Sequence, residues 1–427
     1  MPPITDHPLR YKLANELHAR PFPVLDAPAH VAFLALKPLE RAADRDRAAE
    51  RAHLIALLDR FGAAHPQPGA THYFGQIGRY RLKWESHTEF VTYAVFADGV
   101  EAHPFDDKCF DVFPADWLDT APGLRITSAL IHIERGTETD RIRKALSDWF
   151  VPESLAVSHV LDRSAVIAGD FRVDEAGHMR FAVFVDPQTG PQRIGRIVQR
   201  LAEIETYKAM SMLGFARAHE LGGELSKLAT ALSAVITQMN AEESEPDKVL
   251  AELLSVAAEL EQLETRTTFR FSATVAYEAI VTQRIDLLRE ERFEGSQTFA
   301  EFMLRRFEPA MRTVQSTQSR LAAISARAVR AGDLLRTQVD VARSAQNQAL
   351  LESMDRRADL QLRLQTTVEG LSVVAISYYA LNLAGYLTYP ALEPLGLSKN
   401  EGMAVLVLPV VLAVWLMVRS IRKRMGH

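Results

Sequence analysis

The alternation of apolar and polar positions changes its character near residue 190. Before that point, short apolar runs and stretches of alternating polarity, which are typical of strands, lie between short segments with helical periodicity. After it, apolar residues recur every three or four positions over much longer segments, as they do in long amphipathic helices. Close to the C-terminus, two stretches are almost entirely apolar. The pattern predicts an α+β domain, then long helices, and finally two membrane spans.

Residues 1–190 are expected to form a cytoplasmic α+β domain, with a mixed or antiparallel sheet and helices on one of its faces. Hairpin turns are predicted near Gly78 and across residues 174–177, and such short connections favour this class over a doubly wound sheet. The strand patterns cover residues 30–36, 72–77, 80–96, 125–134, 155–170 and 178–186. The helical patterns cover residues 39–61 and 137–150.

Residues 191–296 are predicted to form a long helical hairpin. Helical periodicity extends over residues 195–239 and 247–292, and the acidic segment 242–246, which contains a proline, would break a helix between them. We expect Gly222 and Gly223 to interrupt the first helix, because glycine is a poor helix former.

Residues 297–370 are predicted to form a stalk helix. Thr298 and Glu301 have the spacing of a capping box at its start, and no proline follows Pro309 until Pro390. If it is unbroken, this helix continues into the first span, and roughly 80–90 residues of helix measure about 120–135 Å. So long a helix needs partners, which are the helical hairpin, other copies of the chain in a coiled coil, or both. Its apolar stripe consists of Val314, Leu321, Ile324, Ala328, Ala331, Leu335, Val339, Ala342, Ala349 and Leu350.

The two apolar stretches, residues 371–392 and 402–418, have the length that a helix needs to cross a hydrocarbon core of about 30 Å. Residues 393–401 are then an outer loop and residues 419–427 a basic tail. Arginine and lysine are concentrated before the first span and after the second, which predicts that both termini are cytoplasmic. No apolar run of signal-peptide length begins the sequence. The lipid bilayer is therefore an expected partner.

A small, polar face runs along the first span. Ser372, Ala375, Tyr379, Asn382 and Tyr386 recur at three- and four-residue spacing, so they share one side of a helix. An amide such as that of Asn382 is costly in lipid unless it has a partner. Two interpretations follow. The face packs against another helix, or Ser372, Tyr379, Asn382 and Tyr386 line a pore that several copies form.

The composition argues against several classes of function. A formal net charge of −5 does not favour nucleic acid as a partner. The single cysteine, Cys109, excludes an internal disulfide and a cysteine-based zinc cluster. The sequence also lacks the motifs of phosphate-binding loops, dinucleotide-binding folds, zinc proteases and serine hydrolases. We therefore expect no enzymatic activity, no catalytic residue, no bound metal and no cofactor.

Two polar strings are the candidates for a ligand pocket. Strand alternation in residues 80–90 gathers the charged residues on one face, which is typically solvated and held by cross-strand pairs. These residues are Arg81, Lys83, Glu85, His87 and Glu89. The second string contributes Glu16, His18 and Arg20, and its spacing is poor for joint ligation of a metal. If the two strings meet in the fold, their side chains would form a pocket for a small ligand.

The stalk helix carries more arginine than acid. Packed around the axis of an oligomer, this charge would repel cations and attract anions. The residues are Arg305, Arg312, Arg320, Arg327, Arg330, Arg336 and Arg343.

Three segments of the chain carry a resemblance to a known family. HPLRYKLANELHARPF (residues 7–22), RLKWESHTEF (residues 81–90) and EGLSVVAISYY (residues 369–379) resemble a bacterial family of membrane-anchored proteins, domain of unknown function thirty-four twenty-two. The resemblance covers essentially the whole chain and implies a place in the bacterial inner membrane, but no chemistry.

The layout also resembles the CorA type of divalent-cation channel, with a cytoplasmic domain, a helical hairpin and a long helix entering the first of two spans. That resemblance implies a homopentamer whose first spans line a pore. The Gly-Met-Asn signature of CorA-type proteins is missing, because residues 385–389 read GYLTY. Magnesium selectivity is therefore not implied.

The leading hypothesis is a homo-oligomeric inner-membrane protein, an ion channel or transporter of CorA-like layout with a cytoplasmic sensor domain. The alternative is a non-conducting membrane-anchored scaffold or ligand-binding protein. The ion or ligand and the number of copies stay open.

Overall fold

A computed structural model describes residues 4–16, 22–39, 44–99, 103–241, 245–392 and 399–425. The chain divides into two compact units. The first comprises Met1–Glu242 and Ala251–Ala331, and the second comprises Glu243–Leu250 and Gly332–His427. The first unit contains a short helix, α1 (Arg10–Glu16), and every strand of the described residues.

Nine strands of the first unit form one mixed sheet. Its order is β2-β3-β4-β1-β5-β8-β7-β6-β9, with β5 and β8 parallel and the other neighbouring pairs antiparallel. The mixed sheet was among the predicted arrangements. The strands are β1 (Ala29–Lys37), β2 (His72–Ile77), β3 (Tyr80–Ser86), β4 (Val91–Asp98), β5 (Leu124–Arg135), β6 (Ala156–Val160), β7 (Ala165–Val173), β8 (Met179–Val185) and β9 (Glu291–Arg292).

Three short helices pack on one face of this sheet. Leu54 of the first helix and Trp117 of the second are buried in one cluster with Trp84 of β3. Ile142 of the third helix belongs to a second cluster, over β6, β7 and β8. The helices are α2 (Arg47–Arg60), α3 (Ala115–Asp119) and α4 (Thr139–Trp149).

The other face of the sheet is covered by α5 (Pro191–Met239). Val31 and Phe33, which alternate with the residues facing α2, line a space shared with Val198 of α5. The prediction of helices on one face was therefore wrong. The composition of β1 explains the second layer of helix. An uninterrupted apolar strand is typical of a sheet that is buried on both of its faces.

Two of the predicted strands are each divided by a turn. Residues 80–96 form β3 and β4, which are joined through residues 87–90. Residues 155–170 form β6 and most of β7, joined by Leu161, Asp162 and Arg163, whose φ angles are 50°, 58° and 61°. Neither turn contains glycine or proline, so the usual signal for a turn is missing from the sequence.

The long helices form the predicted hairpin. α5 runs antiparallel to α6 (Pro246–Asp286), since Glu203 bonds to Arg284 and Gly214 lies against Thr274. Gly222 and Gly223 do not interrupt α5, contrary to the prediction. The end of the second predicted helix was also wrong, because residues 291–292 form β9 beside β6.

The capping box predicted at Thr298 is confirmed. The Thr298 hydroxyl accepts a hydrogen bond from the Glu301 backbone at 3.1 Å, and the Glu301 carboxylate accepts one from the Thr298 backbone at 3.1 Å. It starts α7 (Phe299–Arg306), which is separated from α8 (Glu308–Leu392) at Phe307. The predicted stalk and first span thus form one helix of 85 residues, beginning later than predicted.

The apolar stripe of α8 is only partly covered. Val314, Leu321 and Ala328 are buried within the first unit, as a packed stripe requires. In the second unit, Ala349 and Leu350 are exposed.

The second unit contains the part of α8 from residue 332 onward and α9 (Lys399–Met425). Both α8 and α9 include a stretch long and apolar enough to cross a membrane, which supports membrane association by length and composition.

Candidate functional sites

The polar string of β3 lies beneath α5 and not in solvent. Lys83 is 5% exposed, and Glu89, in the turn that follows β3, is fully buried. The predicted solvated face was therefore wrong. Alternation along a strand separates its two faces but does not show whether a later helix covers the polar one.

A small cavity separates this part of the sheet from α5. Its volume is about 40 Å³, which is room for a few water molecules or one small ion. Drug-sized ligands need roughly 300 Å³ or more. The polar lining comes from Lys83, Glu85, His87, Thr92, Gln199, Glu203, Thr206 and Tyr207.

A chain of polar contacts starts at Lys83 and crosses both long helices. The Lys83 ammonium donates to the Gln199 side-chain oxygen at 2.8 Å and lies 3.3 Å from the Glu85 carboxylate. The Gln199 amide donates to Glu203 at 2.8 Å, and Glu203 also accepts from Arg284 of α6. The sheet, α5 and α6 are thus joined by charge-assisted hydrogen bonds.

Glu89 is the most deeply buried carboxylate of the string. Its two oxygens accept hydrogen bonds from the Arg270 guanidinium, and one also accepts from the Tyr277 hydroxyl at 2.9 Å. Burial, reinforced by the negative charge of Glu89, raises the pKa of Tyr277, so this phenol stays a neutral donor. Both partners come from α6, and the turn after β3 is thereby anchored to the helical hairpin.

Arg45, which the sequence reading missed, holds that turn in place. Its guanidinium is almost fully buried, donates to the Ser86 hydroxyl at 2.9 Å, and donates to the carbonyl oxygens of His87 and Thr88. It also pairs with Glu50 of α2, whose pKa is raised by burial. Arg45 lies in a charged run before α2, which looks like an ordinary solvated helix start. No sequence signal distinguished it.

Aromatic rings close the cavity beside the turn. The His87 ring stacks on Phe90 with 4.4 Å between centroids. Tyr207 of α5 meets the edge of Phe90 at 5.9 Å and stacks with Tyr277 at 5.5 Å. His87 therefore joins the same side of the sheet as Lys83, although a turn separates it from the strand.

Arg81 and the second polar string stand apart from the cavity. Arg81 donates to Asp98 at 3.0 Å and to the Val24 carbonyl oxygen at 2.5 Å. Glu16 is the last residue of α1, and nothing is described of its side chain. His18 and Arg20 lie outside the described residues. The structure thus brings Lys83, Glu85, His87 and Glu89 together, and it leaves the meeting of the two strings a prediction.

No group of three or more histidine, cysteine, aspartate or glutamate residues that could hold a metal occurs within the described part of the chain.

The polar face of the first span lies opposite the buried side of α8. Ser377 of α8 and Val414 of α9 are each 6% exposed, and Gly385 lies against Met403 of α9. At about 100° of rotation per residue, the polar face is centred roughly 180° from Ser377. Accordingly, Tyr379 and Tyr386 are 72% and 73% exposed. Ser372 and Asn382 are half-buried, so the two tyrosines are the exposed polar part of this face in the described part of the chain.

Polar groups of this face bond within their own helix. The Asn382 amide donates to the Tyr378 carbonyl oxygen at 3.0 Å, and the Ser372 hydroxyl donates to that of Val368 at 2.8 Å. A single bond leaves further donor and acceptor capacity on the amide of Asn382.

Two of the stalk arginines face the helical hairpin. Arg320 donates to the Ser226 hydroxyl at 3.2 Å and Arg327 donates to that of Ser233 at 3.4 Å, both on α5. These two charges are directed at α5, which weakens the expectation that all seven arginines surround an axis.

A family described as "Protein of unknown function (DUF3422)" matches residues 5–425. No curated protein and no solved structure gives a significant match.

Proposed function

Since the chain belongs to the family Protein of unknown function (DUF3422), whose description assigns no activity, we propose a function from the chain's own geometry. The protein is a homo-oligomer of the bacterial inner membrane, of CorA-like layout, with both termini in the cytoplasm. The first spans surround a common axis along which an ion crosses. The sheet unit is the cytoplasmic sensor, and no enzymatic reaction is part of the proposal.

One observation carries this proposal: the polar face of the first span is turned away from α9. Ser377, on the other side of α8, is buried, whereas Tyr379 and Tyr386 are exposed. A face with serine, asparagine and tyrosine is unfavourable against lipid tails and is stabilised by neighbouring helices or water. Since Tyr379 and Tyr386 stay exposed among the described residues, further copies of the same span are the partners that the proposal requires.

The sensor role rests on the cavity beneath α5. A small ion or a polar ligand in this space would contact Lys83 and Glu203, which belong to one chain of hydrogen bonds. Because that chain continues to Arg284 of α6, occupancy would alter the contact between the sheet and the hairpin. The ligand is expected to be no larger than the cavity allows.

Oligomeric state is the first test. Light scattering of the purified protein in detergent is expected to give a mass of several copies, and a monomer would end the pore proposal. Conduction is then measured as separate fluxes of K⁺, Mg²⁺ and Cl⁻ into proteoliposomes.

A pair of variants tests whether the polar face lines the path. Asn382→Leu, which removes the amide from the face, is expected to change the flux. Thr388→Leu makes the same kind of exchange elsewhere in the span, where the hydroxyl bonds to Ala384 at 2.7 Å, and is expected to leave the flux unchanged. Equal rates for Asn382→Leu and wild type would show that the face only packs.

The second candidate is a non-conducting membrane-anchored scaffold or ligand-binding protein. The bond from Asn382 to Tyr378 favours it, because an amide partly satisfied within its own helix has less need of a water-filled path. An oligomer without flux of any of the three ions would support this candidate over the channel.

A further inference from the structure

One stretch of α8 is helical although no described residue of its own chain covers it. Every residue from 340 to 368 is exposed, including Leu350, Leu362 and Leu364. Isolated helices are marginal in water, and most helical stability in proteins comes from packing of an apolar face. A fully exposed helix with many large apolar side chains therefore indicates a surface that is covered in the assembled protein.

The pattern of this stretch continues that of the first span. Positions that precede Ser372 at alternating spacings of four and three residues lie on the same face of the helix. They include Val368, Gln365, Gln361, Ala358 and Met354, and the series continues to Ser344. None of the positions between Ser344 and Tyr386 on this face is charged, whereas the charged residues of the stretch all lie on other faces. A repeat that averages 3.5 residues is the period of helices that supercoil left-handedly around each other.

Because the face is continuous from the aqueous segment into the membrane, it indicates which molecule covers it. A soluble partner would match only the part before the membrane, and lipid would match only the part within it. A second copy of α8, parallel and in register, has the same change from aqueous to apolar surroundings at the same height.

The residues on this face are of the types expected where parallel copies of one helix pack against each other. In a symmetric parallel bundle, each seam residue meets the same residue of its neighbours, so a charge would repel itself. The amides of Gln361 and Gln365 both donate and accept hydrogen bonds, and can therefore pair with themselves. Leu350, Leu362 and Leu364 flank the seam and would provide the apolar contacts between adjacent helices.

We infer that residues 344–386 of α8 form one continuous self-association seam, in which copies of the chain pack in parallel and in register from the aqueous segment into the membrane. This inference rests on the proposed homo-oligomer and adds the residues that build it. The axis of the bundle then extends well outside the lipid, and the uncharged face lines it throughout.

Disulfide formation tests the seam directly. Cys109, the single cysteine of the sequence, is first replaced by serine, and single cysteines are introduced in the full-length protein in native membranes. Ala358→Cys and Gln365→Cys lie on the seam, and Arg356→Cys and Arg363→Cys are the matched outward controls. With a copper oxidant, the seam variants are expected to convert from monomer to covalent dimer on denaturing gels, and the controls to stay monomeric. Equal conversion of seam and control positions, or none at the seam, would overturn the inference.

A charge placed in the seam gives an independent measurement. Gln365→Glu sets identical charges against each other, whereas Thr366→Glu adds the same charge one position away, on the outer side. Light scattering in detergent is expected to show a loss of oligomer for Gln365→Glu only. If both variants keep the wild-type mass, or both lose it equally, position 365 does not face other copies.

The outcomes separate this inference from the proposed function. A monomeric wild type would remove both. An oligomer without disulfides at the seam would remove the seam and leave the homo-oligomer. Seam disulfides without ion flux would leave the seam and remove conduction.

Discussion

Replacing Arg270 by methionine should destabilise the first unit more than a change at any typical surface arginine. Arg270 holds the fully buried Glu89 through both carboxylate oxygens, and Tyr277 provides a further hydrogen bond at 2.9 Å. Methionine keeps much of the length and apolar volume of arginine but removes the charge and all five donors. Glu89 would then lie in a buried site without its cation.

The expected cost follows from this loss of the partner. Removing one member of a buried ion pair typically costs about 3–5 kcal/mol, because the other charge is left uncompensated. For a domain of this size, about 2 °C of midpoint corresponds to each kcal/mol, so a fall of roughly 6–10 °C is expected. The Tyr277 hydrogen bond remains, which places the cost of Arg270→Met toward the lower end of this range.

Tryptophan fluorescence reports on the relevant unit during thermal unfolding of the full-length protein in detergent. Trp84, Trp117 and Trp149 belong to the sheet and to the helices on its first face. Trp415 is the single tryptophan of α9 and contributes a separate, membrane-associated signal. The unfolding midpoint reported by Trp84, Trp117 and Trp149 is the quantity to compare between variants.

Two variants make the reasoning refutable. Arg266→Met changes an exposed arginine about one turn earlier on α6, which bonds only to Gln262 among the contacts described, and should cost less than about 0.5 kcal/mol. Glu89→Gln combined with Arg270→Met removes both charges and should recover at least about 1 kcal/mol of the loss. If Arg270→Met were no worse than Arg266→Met, or the double variant recovered nothing, the buried ion pair would not hold the turn to the hairpin.

Two further outcomes can be measured in the same way. Gly195→Ala should lower stability by about 1–3 kcal/mol, because a Cβ there would meet the Pro23 carbonyl oxygen at 1.7 Å. Gly222→Ala is the control, because nothing lies within 4 Å of its Cβ position, and it should raise stability by about 0.5–1 kcal/mol. A reversed order would show that the segment at Pro23 does not pack on α5. Burial lowers the pKa of His53 in the folded protein. Below pH 6.5 the unfolded chain therefore binds a proton at this site that the folded protein does not bind. The free energy of unfolding consequently decreases as the pH falls from 6.5 towards the folded pKa. His53→Gln should remove this contribution, which is at most about 1.4 kcal/mol per pH unit, and an unchanged pH dependence of the midpoint would contradict it.

The sequence predicted the local elements of the fold better than their arrangement. β1 and the capping box at Thr298 could be predicted because each depends on residues close together in the chain. The turns at residues 87–90 and 161–164 could not, because neither contains glycine or proline. At Gly222 and Gly223 the presence of glycine predicted a break in the helix that does not occur. The packing of the rest of α5 outweighs a local cost of about 1 kcal/mol per glycine.

The candidate site was predictable in its residues but not in its surroundings. The alternation of polar side chains singled out Lys83, Glu85 and Glu89. Lys83 and Glu85 do lie on the side of the sheet that α5 covers, and Glu89 is bound by α6. Their partners Gln199 and Arg270 come from helices more than a hundred positions later, and nothing local indicates that they meet. Arg45 shows the same limit, because its role depends on backbone carbonyl groups of a turn that the pattern did not reveal.

The hydrogen bonds beneath α5 give the sensor proposal a physical route. Arg284, which binds Glu203 beside the cavity, lies on α6 less than two turns from Glu278. Glu278 accepts a hydrogen bond from Gln315 at 3.1 Å, and Gln315 belongs to α8, the helix that includes the first span. A ligand that displaces Gln199 from Lys83 would therefore act on α6 and, through it, on α8. Such a route conveys a signal only if the hairpin has two arrangements that the ligand binds unequally. The hydrogen bond between Gln315 of α8 and Glu278 of α6 is one contact at which two such arrangements would be expected to differ.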